Sequence, residues 1–253
     1  MIISISNIDM FAEYIMYVSK INEMALFEIN DKECIVALKN SSNTVQSIFT
    51  TSCVKTEPNQ SISFGMKDLV KFSKCISIIS SSTNDKTLKL EFDNTYVKYD
   101  DKNYGFKLIT LKNDVVESIV STRKKNNLVA MWDMKLSLRQ VKKITDMSFI
   151  ADDPEKCKVY FYAQDGFIIA DVDRKNERLP INSLKVPITN EFNGDWNIPV
   201  IISMTLIRFW NLLKVDEIQL KLTNKRNLSV SSELKDTSND FIKFDLISQT
   251  LIE

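Results

Sequence analysis

The residues best suited to chemistry in this sequence are its paired carboxylates: Asp100 with Asp101, Asp152 with Asp153, and Asp171 with Asp173. Asp171 and Asp173 stand at i and i+2, so on a strand both side chains face one way. A metal-dependent nuclease holds its ions with such groups. No third acidic ligand accompanies them, and the chain runs on into a polar stretch at residues 174–178. A solvated strand end is the simpler account. Histidine is absent, which removes Ser-His-Asp and Cys-His nucleophilic catalysis and zinc sites built on imidazole. Cys34, Cys53, Cys75 and Cys157 form no C-x-x-C pair, so an all-thiolate zinc site is not expected. Gly65, Gly105, Gly166 and Gly194 are isolated, so neither a P-loop nor a G-x-G-x-x-G cradle can be written. The expectation is a protein that is not an enzyme and carries no metal or cofactor.

What remains is binding. Lys plus Arg number 33 and Asp plus Glu number 33, so bulk positive charge cannot hold a nucleic acid, although charge sorted onto one face can. With 253 residues, 44% of them hydrophobic, the chain is one large domain or two ordinary ones with a real core. The start, MIISISNIDMF, lacks the basic and long apolar regions of a signal peptide. No apolar run reaches the roughly 18 residues of a membrane helix. These features predict an intracellular protein with reduced thiols and no membrane partner. Abundant Lys, Asn and Ile with only 4 Gly suggest an AT-rich genome, such as a virus; for a phage, the location would be the host cytoplasm.

A fourfold repeat organises the chain. Each copy reads as a short strand, a cap or glycine break, an amphipathic helix, and alternating strands. Asn7, Gly65, Ser137 and Ser203 open the four helices, at intervals of about sixty to seventy residues. Phe11, Ile15 and Val18 recur at helical spacing in the first, and Leu69, Phe72, Ile76 and Ile79 in the second. Leu138, Val141 and either Ile144 or Thr145 form the third stripe. Leu88, Leu90 and Phe92 alternate with Lys89 and Glu91 as a half-buried antiparallel strand. Asp165-Gly166 between two apolar runs predicts a hairpin. Two copies make a half: residues 1–112 and 128–253 form two similar domains, and the polar segment 113–127 links them. The fold class is α+β with extensive antiparallel sheet.

The helices also sort charge. Lys67, Lys71 and Lys74 stand at i, i+4 and i+7, opposite the apolar stripe of the second helix. Arg139, Lys142 and Lys143 take the same place on the third. Lys20, Arg208 and Lys214 add single charges near the other two. Such faces meet phosphates; nothing in them resembles a helix arranged to read base edges.

In this pattern the sequence resembles the DNA sliding clamps, in the two-domain form of proliferating cell nuclear antigen and the T4-type phage clamps. The likeness spans the chain and is clearest in ISFGMKDLVKFSKCISIISSSTNDKTLKLEFDNTYVKYDDKNYGFKLITL. The resemblance implies a ring of three subunits, helices lining a hole for duplex DNA and sheets forming the rim. It implies no cofactor, and as partners a DNA polymerase, a clamp loader and other copies of the chain. Docking peptides would enter a pocket under the connector. By position, Ile119 and Val120 match the connector, Val45 matches the loop after the first hairpin, and Leu246 and Ile247 match the segment that floors the pocket. The alternatives are a clamp-like, non-ring DNA-binding or transcription accessory factor, and a nuclease using Asp171 and Asp173. A single-strand binder exposes aromatic platforms, whereas Phe72, Phe209 and Trp210 fall on stripes expected to be core.

Overall fold

The computed structural model describes residues 1–102, 104–120, 130–151, 157–172, 184–189, 192–194, 200–223 and 227–249. It divides into two compact units. The first contains residues 1–125 together with Glu233–Leu246; the second contains Asn126–Ser232 and Ile247–Glu253.

In chain order the first stretch holds β1 (Ile2–Ile5), α1 (Ile8–Ser19), β2 (Ala25–Ile29), β3 (Cys34–Lys39), β4 (Val45–Thr51), β5 (Val54–Lys55) and β6 (Ile62–Met66). Then come α2 (Leu69–Ser82), β7 (Leu88–Asp93), β8 (Tyr96–Asp100), β9 (Gly105–Ile109), α3 (Asn113–Val116) and a 3₁₀ turn at Glu117–Ile119. Its strands take the neighbour orders β5-β1-β7-β8-β9 and β4-β3-β2-β6. The second stretch holds β10 (Ala130–Ser137), α4 (Leu138–Ser148), β11 (Lys158–Gln164), β12 (Phe167–Val172), β13 (Leu184–Thr189) and β14 (Asn193–Gly194). It continues with β15 (Val200–Ser203), α5 (Met204–Leu212), β16 (Glu217–Thr223), β17 (Asn227–Lys235) and β18 (Phe241–Gln249). Here the orders are β14-β10-β16-β17-β18 and β13-β12-β11-β15. The second set of strands repeats the first in the same sequence and the same order, so the internal repeat of the amino-acid sequence is a repeat of topology. The fold is α+β and every pairing described between named strands is antiparallel.

Local chemistry explains the helix starts. Asn7 accepts the Met10 N–H at 3.0 Å and caps α1. Ser137 and Gln140 form a reciprocal capping box on α4. The Asp165-Gly166 hairpin is present, with φ of 53° and 78° at the two positions, the left-handed pair that a tight two-residue turn requires. The second helix departs from expectation. It begins at Leu69 behind Asp68, which accepts the Lys71 N–H at 2.8 Å. Gly65 is not its break but a residue of β6. A Cβ there would lie 2.9 Å from Val116 Cγ1 and 3.0 Å from Leu111 Cβ. The glycine lets the chain after β9 approach closely: the Gly65 and Leu111 amides exchange hydrogen bonds at 3.0 and 2.7 Å.

In the first unit α1 and α2 pack together and over the sheets. Phe72 of α2 stands edge-on to Phe11 at 5.8 Å, Phe27 at 6.1 Å and Phe106 at 6.4 Å, and Phe27 stacks on its strand partner Phe64 at 5.3 Å. The turn between β17 and β18 is fastened to this unit. Asp240 accepts the Ser6 and Ser52 hydroxyls, Asp236 accepts the Asn7 amide, and Ser52 and Phe241 bond through their backbones. In the second unit α4 packs on α5, with Val141, Ile144, Ile207, Phe209 and Trp210 all buried. Phe72, Phe209 and Trp210 are therefore core residues.

Candidate nucleic-acid interface

On α2 the buried stripe is Leu69, Phe72, Ile76 and Ile79. Lys71 and Lys74 are exposed on the remaining surface. Two hydrogen bonds fix which flank meets α1: Ser73 donates to the Ala12 carbonyl, and Ser80 donates to Asp9. At about 100° per residue, Lys71 and Ile78 point away from α1, and Lys74 points away from the core. Lys67 is exposed but precedes the cap, so it extends the basic row from outside the helix. On α4, Val141, Ile144, Thr145 and Ser148 are buried, and Arg139, Lys142 and Lys143 are exposed. Arg139 and Lys143 lie about 160° from Val141 and Lys142 about 100°. Lys20 caps the C-terminal end of α1 and is exposed. Arg208 is half-buried on α5, its guanidinium 5.5 Å from the Phe149 ring; Lys214 is exposed just beyond that helix. The structure thus groups the nine basic candidates as two strong patches, on α2 and α4, and isolated charges elsewhere.

The apolar candidates sit on different elements. Val45 opens β4 and is half-buried. Ile119 ends the 3₁₀ turn, and Val120 forms an antiparallel bridge to Leu38 of β3; both are half-buried. That bridge has a cause in the sheet. Pairing between β2 and β3 is confined to Glu28–Ile35 and Ile29–Cys34, so farther along β3 the chain after α3 can enter beside Leu38. Leu246 is 0% exposed, whereas Ile247, the next residue on β18, is half-buried.

The described carboxylates have other roles. Asp171 is 1% exposed on β12 and accepts the Tyr162 hydroxyl at 3.2 Å, so it offers no open surface to a substrate. Asp152, Asp153 and Asp173 lie outside the described residues. Asp100 pairs with Lys98 at 2.9 Å, and Asp101 accepts the Tyr99 hydroxyl and the Tyr104 amide, which shapes the turn after β8. Among the described residues no group of three or more His, Cys, Asp or Glu is placed to hold a metal ion. All four cysteines are free. Burial raises the Cys53 thiol to about 12 and the Cys34 thiol further. Cys75, half-buried on α2, is also raised by burial, opposed by the Lys71 ammonium.

Sequence reasoning passes over one set of residues, the exposed aliphatics of the helices and of the edge strand β9. In the first unit Ile78 of α2 is 55% exposed and Ile109 of the edge strand β9 is 77% exposed. In the second, Ile150, just past α4, is 71% exposed, and α4 reaches the edge strand β13 through the Gln140 amide, which donates to the Ile188 carbonyl. The available signal was Ile78, seven residues after Lys71 on the charged stripe rather than the buried one.

No protein-family model matches the chain, and no curated protein matches it in sequence. Solved structures do match its fold. A. fulgidus PCNA, in a complex with the C-terminal region of FEN-1, is 16% identical, with a TM-score of 0.75 over 100% of this chain and 99% of that one. A chain of the PCNA2-PCNA3 complex from Sulfolobus tokodaii is 12% identical, with a TM-score of 0.72 over 100% of both chains. Proliferating cellular nuclear antigen from Entamoeba histolytica is 14% identical, with a TM-score of 0.72 over 99% of this chain and 98% of that one. At such identities the match establishes the fold: this chain has the two-unit architecture of the PCNA-type sliding clamps along its whole length.

Proposed function

We propose that this protein is a DNA sliding clamp, a non-enzymatic processivity factor that closes as a homotrimeric ring around duplex DNA and tethers a polymerase. The observation that carries the reading is the repeated unit itself, with basic residues on the solvent side of α2 and α4 and apolar residues on the side that packs. The PCNA2-PCNA3 complex and the FEN-1 complex support two parts of it, assembly between clamp chains and capture of a partner's terminal segment. Edge strands support ring closure. β9 and β13 each end a sheet, β9 with Ile109 exposed, and pairing β9 of one copy with β13 of the next would remove both edges. Pro187 on β13 agrees with an edge position. The partner peptide is assigned to the half-buried Val45, Ile119 and Val120 of the first unit, and Leu246, fully buried, is left out of the contact surface. A clamp loader would open the ring.

A sliding contact must be electrostatic and indifferent to sequence. Binding to a short duplex, measured across a salt series, is expected to give log affinity falling with log salt by about 0.9 for each phosphate neutralised. The Lys71→Ala, Arg139→Ala double variant should lower that slope on every template alike. A variant that altered sequence preference would contradict the proposal.

A further inference from the structure

We infer that the first unit carries a further binding site, a slot between β7 and β8 that takes the backbone of an extended, basic segment of a partner protein. The slot shares no residue with the surface at Val45, Ile119 and Val120, and it needs neither ring closure nor DNA. The β7–β8 ladder runs through Asp93–Tyr96, Phe92–Val97 and Glu91–Lys98 and stops there, although β7 reaches back to Leu88 and β8 on to Asp100. β7 stays paired to β1 as far as Leu88, and β8 to β9 as far as Asp100, so both strands are intact where they part. Between them lies a cavity of about 410 Å³, lined by Asp85, Lys89, Glu91, Lys98 and Asp100 among others. The alternation of an antiparallel ladder says which backbone groups face it. Phe92 N–H donates to the Met1 carbonyl at 2.8 Å, so Leu88, Leu90 and Phe92 turn their peptide groups to β1, and Lys89 and Glu91 turn theirs to β8. Asp101 N–H donates to the Tyr104 carbonyl at 2.9 Å, so Tyr99 faces β9 and Asp100 faces β7. Beyond the Glu91–Lys98 pair, the N–H and C=O of Lys89 and of Asp100 therefore line the slot from opposite sides.

The internal repeat supplies a control. The buried Leu88, Leu90 and Phe92 of β7 correspond to the buried Ile218, Leu220 and Leu222 of β16. In that second hairpin the ladder includes Leu220–Val230 and Gln219–Ser231, the counterparts of Leu90–Tyr99 and Lys89–Asp100. The opening belongs to the first hairpin and is not imposed by the fold. A shortened ladder elsewhere in the same unit shows what such a space accepts. The β2–β3 ladder has two pairs, and Val120 bridges to Leu38 farther along β3: extended backbone enters where the pairing ends. In an extended segment, successive residues turn their peptide groups to opposite sides, so one residue can bond Lys89 and the next Asp100, as in strand addition. Charge selects the side chains. Lys98 is held by Asp100 at 2.9 Å and stands opposite Glu91. Asp85, Glu91 and Asp100 face the slot against Lys89 and Lys98, an excess of one negative charge. A lysine or arginine flanking the inserted backbone balances it, and an acidic side chain is repelled. The volume falls within the roughly 300–1,000 Å³ of ordinary ligand sites, enough for a short stretch of chain and not for a folded element.

The experiment titrates the isotope-labelled full-length chain with two blocked peptides, acetyl-Thr-Lys-Val-Arg-Val-Thr-amide and acetyl-Thr-Glu-Val-Glu-Val-Thr-amide, and follows the backbone amides by NMR. The basic peptide is expected to bind with a dissociation constant below about 1 mM, and the acidic one at least roughly tenfold more weakly. The Lys89 and Asp100 amides should shift and exchange more slowly with solvent as the basic peptide is added. Methylating both valine nitrogens of that peptide removes backbone donors and keeps the charges, and should also weaken binding roughly tenfold. Lys89→Gln with Asp100→Ser gives the first hairpin the Gln219 and Ser231 pair of the second without changing the net charge of the slot. This variant should lose the peptide-induced shifts with its melting midpoint unchanged. No binding at millimolar peptide overturns the inference. So does equal binding of the basic and acidic peptides, binding that survives methylation or the double substitution, or shifts at Val45, Ile119 and Val120 in place of Lys89 and Asp100.

Discussion

Gly65 is the residue on which the packing of the chain after β9 turns. Its missing side chain allows Leu111 and Val116 to lie against β6, and Val116 is fully buried there. Gly65→Ala forces an extra methyl into a filled space, and overpacking of this kind costs about 1–3 kcal/mol. Urea unfolding of the variant is expected to show that loss, with the midpoint lowered and the slope unchanged. A second residue-scale expectation concerns Cys34 and Cys53. Both thiols are held protonated by burial, Cys53 up to about 12, whereas an unfolded thiol ionises near ~8.5. The unfolded state therefore binds fewer protons above that pH. Stability should be flat below pH ~8.5 and fall as pH rises toward ~12, by up to about 1.4 kcal/mol per pH unit for each thiol. Chemical denaturation at a series of pH values tests the sign: stability that rose between pH 8.5 and 10.5 would contradict it.

At the scale of elements, much was legible in the sequence and the exceptions have physical reasons. Asn7 and Ser137 announced helices because a capping side chain and an apolar stripe act over neighbouring residues. The Asp165-Gly166 hairpin was equally local. Gly65 was not, because a glycine that breaks a helix and one that admits a distant segment look the same in sequence. The four-residue helix at Asn113–Val116 spans barely one turn, too short for a periodic apolar stripe to show. Of the candidate site, the charged positions were readable as stripes, while the exposure of Ile109 is meaningful only because β9 ends its sheet. Burial also separates two substitutions among the proposed peptide-site residues. Ile119→Glu places a charge at a half-buried position and should abolish polymerase stimulation with unfolding unchanged. Leu246→Lys buries an unpaired charge in the core and should destabilise the first unit by several kcal/mol. Comparing melting and stimulation in the two variants tests the division. Unchanged stimulation by Ile119→Glu would move the pocket elsewhere.

For the whole molecule, the proposed clamp reading implies a topological grip rather than a tight site. Such a grip has a signature that ordinary affinity cannot mimic. The protein is threaded onto a linear plasmid, the ends are ligated, and the sample is washed in high salt on a gel-filtration column. Salt screens the phosphate contacts but cannot open a covalent circle. The clamp account predicts that the protein stays with the closed circle and leaves within the same wash once a restriction enzyme cuts it. Equal loss from circular and linear DNA in high salt would contradict the claim that the protein encircles DNA.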